Sequence, residues 1–156
     1  FPKGTNTVKS IKKSFAFGTP GTEKGQFWFP TSVGVGPDGL VYVVDQMNAR
    51  IQVFRADGEF VDAFGQKGLV PGSFARPKDV CVDEEGIVYV TDFEFGNVQF
   101  FDSDFTLLTF IGKGGNSPGE FSGASGVAVR GQEMAIVDQI GKRLQIFRWI
   151  APKHGE

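Results

Sequence analysis

The chain has 156 residues, a net charge of -2, a pI near 5.5, one cysteine and one histidine. One cysteine excludes an internal disulfide, Cys81 has no second ligand at zinc spacing, and the slightly acidic balance excludes coating nucleic acid by charge alone. Gly (22) and Phe (17) are heavily used, no run of 18 apolar residues occurs, and the short apolar stretches are β-branched or aromatic, which points to an all-β fold.

The chain opens with a lead, residues 1-13, that has four lysines and no acid and is read as a solvated tail. Phe1 in place of Met suggests either a removed leader, and with it an extracellular or periplasmic location, or a trimmed chain. IKKSFAFG then reads as the end of a repeat, because Gly18, Gly65 and Gly112 stand 47 residues apart, each after an apolar residue. The same step joins Phe27, Phe74 and Phe121, and Val33, Val80 and Val127. After a one-residue deletion in the third unit the pattern resumes with Asp45, Asp92 and Asp138, then Gln52, Gln99 and Gln145.

In the first unit four strands are predicted, SVGVG, LVYVVD, RIQVFR and FVDAFG, separated by PDG, QMNA and ADGE, whose Gly, Asn and Asp suit tight turns. Four antiparallel strands in 40 to 50 residues make one propeller blade. The second unit repeats the set, and the third runs as far as RLQIFRW, its third strand. Residues 14-149 are therefore read as three blades, and 150-156 as a tail.

The unit with Tyr42-Val43-Val44-Asp45 and Asn48-Ala49-Arg50-Ile51-Gln52-Val53-Phe54 resembles the NHL repeat. Asn48 and Arg50 drift to Phe95 and Asn97 in unit two, and to Gly141 and Arg143 in unit three. The resemblance implies a propeller, usually of six blades, and an interaction platform. Three blades are half of such a ring, so the chain is expected either to be half of a longer natural ring, or to close the ring as a homodimer or with a partner fragment. Residues about 9 to 18 would then complete the last blade of the other copy.

Asp45, Asp92 and Asp138 each end a second strand and read as turn-capping carboxylates. Asp79 stands where the other units have Ser32 and Gly126, at the start of a channel-lining strand, and is a weak metal candidate, with Ca²⁺ as the ion in question. Cys81 takes the slot of Gly34 and Ala128 and reads as a core residue. His154, in the tail, leaves no multi-histidine site.

The face built from the first-to-second and third-to-fourth strand turns carries nine acids and two bases, a charge of -7. The opposite face is near neutral and bears aromatic residues. A partner-binding site is therefore expected around Trp28, Arg50, Arg76, Lys78, Phe95 and Arg143, since Trp and Arg are enriched at binding hot spots. The function expected on these grounds is a non-catalytic scaffold for a protein or peptide, without a cofactor. Two alternatives stand beside it: a lyase or hydrolase-like propeller enzyme with carboxylate-bound Ca²⁺ in the channel, and an RNA-binding NHL domain, which the acidic balance disfavours.

Overall fold

A computed structural model describes residues 15-149. A short parallel pair comes first, β1 (Thr19–Pro20) beside β2 (Gln26–Phe27), within the loop that leads into the first blade. Blade one is β3 (Pro30–Val35), β4 (Val41–Asp45), β5 (Arg50–Phe54) and β6 (Phe60–Phe64), paired antiparallel in chain order. Blade two is β7 (Pro77–Val82), β8 (Val88–Asp92), β9 (Asn97–Phe101) and β10 (Leu107–Ile111) in the same order. Blade three shows β11 (Ala124–Arg130), β12 (Glu133–Asp138) and β13 (Arg143–Arg148) among the described residues. The structure is thus an all-β arc of a β-propeller, as the repeat predicts. The expected lead, the tail and residues 9-14 of the expected exchanged strand lie outside the described residues.

Period 2 explains why sheets of this kind stack. Successive side chains on a strand point to opposite faces, so each blade has two apolar faces and must bury both. The core accordingly lies between blades rather than within one. Tyr42, Val44, Ile51 and Phe64 of blade one meet Phe74, Val80, Val88, Val90 and Phe101 of blade two. Tyr89 and Val98 of blade two meet Phe121, Val127, Met134 and Ile136 of blade three.

The glycine that ends each unit has a steric reason. Gly65 has φ +85°, and a Cβ placed on it would lie 2.3 Å from Cε2 of Phe74, the aromatic of the following loop. Gly18 and Gly112 stand in the same relation to Phe27 and Phe121, at 2.5 and 2.6 Å. The 47-residue coincidence of Gly and Phe is therefore one contact, a ring lying flat on bare backbone, made three times.

Glutamines, two of them fully buried, tie the same loop down. The Gly72 N–H donates to Gln99 Oε1 (2.7 Å) and Gln99 Nε2 donates to the Ser73 carbonyl (2.9 Å). Gln52 and Gln145 make the equivalent pair of bonds with Gly25 and Gln26, and with Gly119 and Glu120. A side-chain amide carries both donor N–H groups and an acceptor oxygen, so it can serve a loop that has one unpaired N–H and one unpaired C=O.

Candidate functional site at the channel mouth

The innermost strands β3, β7 and β11 lie side by side and form the wall of the channel. Each begins with a register shift against its neighbour, between Pro30 and Ser32, Pro77 and Asp79, and Ala124 and Gly126. Such an irregularity re-aims the side chain that follows it. At Asp79 it turns the carboxylate sideways to both neighbouring blades. Oδ1 accepts from the Ser32 hydroxyl of blade one and from the Val80 N–H, and Oδ2 accepts from the Val127 N–H of blade three (2.8 Å). The Asp79 N–H in turn donates to Thr91 Oγ1 (3.0 Å).

Asp79 therefore ties three blades together at the channel wall, and three of its acceptor positions are taken. Among the described residues no group of three or more His, Cys, Asp or Glu is placed to hold a metal ion. This donor set does not fit a cation cage.

The three strand-ending aspartates are fully buried and serve the loops. Asp45 accepts from the Trp28 N–H (2.7 Å), Asn48 Nδ2 (2.8 Å), Arg50 Nε (2.8 Å) and Gln52 Nε2 (3.1 Å). Asp138 accepts from the Gly123 and Gly141 N–H groups and from Arg143 Nε (3.0 Å). Asp92 has no guanidinium bond like those of Asp45 and Asp138, because Asn97 stands in place of the arginine, and it accepts instead from the backbone N–H groups of Ala75, Arg76, Glu94 and Phe95.

The six residues expected to bind a partner fall into three sets. Arg50 and Arg143 are committed inward. Arg50 donates to the carbonyls of Glu23 and Gln26, and Arg143 to those of Asn116, Ser117 and Glu120, so each clamps the loop before its blade. Trp28 is exposed, Phe95 half-buried, and both stay on the same face.

Arg76 and Lys78 are held differently from Arg50 and Arg143. The Arg76 guanidinium carbon lies 5.3 Å and Lys78 Nζ 5.7 Å from the centre of the Phe93 ring. Neither has a carboxylate partner among the described residues, whereas Arg50, Arg55, Lys113, Arg143 and Arg148 are ion-paired. Burial, and then the neighbouring Arg76 charge, hold the Lys78 ammonium below its ordinary pKa. The geometry is a pair of unneutralised cations held over an aromatic ring at the lip of the channel, an arrangement suited to an anionic group. Sequence reasoning had Arg76 and Lys78 but missed Phe93, which carries both; its signal is the large aromatic where the other units have Gln46 and Gln139.

A family described as a 6-bladed beta-propeller matches residues 36–108. A comparison with curated protein sequences gave no match. Among solved structures, a gluconolactonase from Xanthomonas campestris is 26% identical with a TM-score of 0.59, over 79% of this chain and 38% of that one. A calcium-binding regucalcin from Agrobacterium tumefaciens is 20% identical with a TM-score of 0.52, over 69% and 37%. A virginiamycin B lyase from Staphylococcus aureus is 15% identical with a TM-score of 0.55, over 81% and 42%. The latter two identities show the fold alone.

Proposed function

We propose that the chain is an arc of a propeller enzyme that opens a lactone or similar cyclic ester, built from NHL-type repeats with its site at the channel mouth. The chain spans less than half the length of the propellers it matches. The expectation of a non-catalytic scaffold is corrected by these similarities: the solved structure with 26% identity is a gluconolactonase, and a lyase shares the fold. The enzyme alternative of the sequence reading therefore replaces it, and the gluconolactonase similarity is the observation that carries it.

Lactone opening adds water at the carbonyl carbon, breaks the ring C–O bond and releases a hydroxy acid. Negative charge develops first on the carbonyl oxygen and then on the product carboxylate. Arg76 and Lys78 supply positive potential where that charge would sit, and a cation already in place stabilises it without reorganisation. Asp79 acts at one remove by fixing β7, which carries Lys78, against the strands on either side. No step is routed through a metal, since these residues form no cage for one.

The experiment is ring opening of D-glucono-1,5-lactone, followed by proton release in weak buffer against the spontaneous rate. Acceleration is expected, with the double substitution Arg76→Ala and Lys78→Ala lowering kcat/KM about tenfold or more, equivalent to about 1.4 kcal/mol. No rate above the spontaneous one, at any protein concentration, would overturn the proposal.

A further inference from the structure

The repeat allows the channel mouth to be compared with itself one unit away. In all three units the residue after the second strand donates its N–H to the carbonyl of the residue before the innermost strand: Gln46 to Phe29 (3.2 Å), Phe93 to Arg76 (3.0 Å) and Gln139 to Gly123 (2.9 Å). The backbone is the same three times, and only the side chains differ. Phe93 leans across to blade three, where its ring lies 2.6 Å from the place a Cβ on Gly123 would occupy. One unit earlier, Gln46 holds the position of Phe93 and Arg76 that of Gly123. The repeat therefore sets Gln46 at the seam of blades one and two, beside Arg76.

Gln46 is 7% exposed, and its Nε2 is buried without a hydrogen-bond partner among the described residues. Buried polar groups are almost always paired, so an unpaired donor at the channel mouth points to an acceptor from outside the chain. Nε2 has no bond to lose in turning towards Arg76. Arg76 and Lys78 add two positive charges that no carboxylate pairs among the described residues. The strand that carries Lys78 is fixed to blade one, because Thr31 Oγ1 donates to the Lys78 carbonyl (3.1 Å) and the Ser32 hydroxyl donates to Asp79. Every residue named here as a donor lies in blades one and two, each of which shows its four strands.

We propose that Gln46, Arg76 and Lys78 form a carboxylate-binding site across this seam, and that its ligand is a polyhydroxy acid in its ring-opened, ionised form. The choice of acid rests on the lactone reading above; the choice of carboxylate does not. A guanidinium fork matches the two oxygens of a carboxylate, and an ammonium and an amide N–H supply the further donors that those oxygens can accept. Phosphate is commonly cradled by free backbone N–H groups, and here those groups are spent. The N–H groups of Ala75 and Arg76 go to Asp92, that of Asp79 goes to Thr91, and that of Phe93 goes to the Arg76 carbonyl. A lactone has no permanent charge, so the site favours the open acid over the ring from which it forms.

The test is equilibrium binding of D-gluconate by calorimetry, which needs no turnover, with sorbitol as the neutral polyol and inorganic phosphate as the rival anion. Gluconate is expected to bind, phosphate to bind more weakly and sorbitol not at all. Arg76→Ala together with Lys78→Ala should weaken gluconate about tenfold or more, and Gln46→Leu about tenfold, as loss of a hydrogen bond to a charged group does. In urea without ligand, Gln46→Leu should be no less stable than the wild type, because its donor has no partner to lose, whereas a glutamine with a purely structural role would show a loss. Absence of gluconate binding, equal binding of sorbitol or phosphate, unchanged affinity in either variant, or a destabilised Gln46→Leu overturns the proposal. A protein that binds gluconate in this way and opens no lactone keeps the carboxylate site and loses the enzymatic reading. One that opens the lactone and binds no gluconate loses the site alone.

Discussion

Gly65→Ala probes the contact that repeats along the whole chain. The new methyl would lie 2.3 and 2.5 Å from two carbons of Phe74, against about 3.5 to 4.0 Å for an ordinary carbon contact. The ring has little room to retreat: Phe74 is fully buried, Phe101 lies 5.9 Å away between ring centres, and the Ala49 carbonyl stands 3.4 Å from the new methyl. Overpacking of this kind costs about 1–3 kcal/mol, and the left-handed backbone at φ +85° adds about 1–2 kcal/mol for any residue with a Cβ. The total is a loss of about 2–5 kcal/mol. Gly39→Ala is the control, with φ +81° and open space around it, and should lose the backbone part alone. Urea unfolding of both variants reads the difference. Equal losses in the two would refute the claim that the Gly–Phe contact sets the repeat.

Gln99→Ala removes both bonds to the Gly72–Ser73 loop and strands a buried N–H and C=O, so a loss of about 2–4 kcal/mol is expected in the same assay. The Cys81 thiol is pushed up to about 12, by burial first and then by Asp79 and Asp83; it should resist a thiol reagent at pH 8 and react fully in denaturant. Burial raises both tyrosines above the ordinary value of 10.0, joined at Tyr89 by its hydrogen bond to Asp83 and at Tyr42 by the Asp38 charge. Each folded-state value exceeds the unfolded one, so this contribution to stability is whole below pH 10 and is lost as pH climbs from there towards the folded value. Ultraviolet titration showing either phenol ionising at its ordinary value in folded protein would contradict it.

The propeller was legible because blade geometry repeats the same contacts at the same spacing. Gly18, Gly65 and Gly112 with Phe27, Phe74 and Phe121 announce the unit before any strand is assigned, and alternating apolar residues place the strands within it. The roles of Arg50 and Arg143 were not legible. A sequence shows an arginine in a turn, but not that its guanidinium reaches carbonyls more than 20 residues back in the chain. The ties of Asp79 were hidden for a similar reason: its partners Ser32 and Val127 lie in two other blades, 47 and 48 residues away. The proposed enzymatic site left no local motif to read, because a propeller gathers its site from side chains on different blades around one channel.

The central claim is that the cations at the lip of the channel serve a lactone-opening site. The most direct measurement is kcat/KM for D-glucono-1,5-lactone in the wild type beside the double substitution Arg76→Ala and Lys78→Ala. The wild type should open the lactone faster than buffer, and the double variant should be slower by about tenfold or more. A wild type no faster than buffer, or a folded double variant as active as the wild type, would contradict the account.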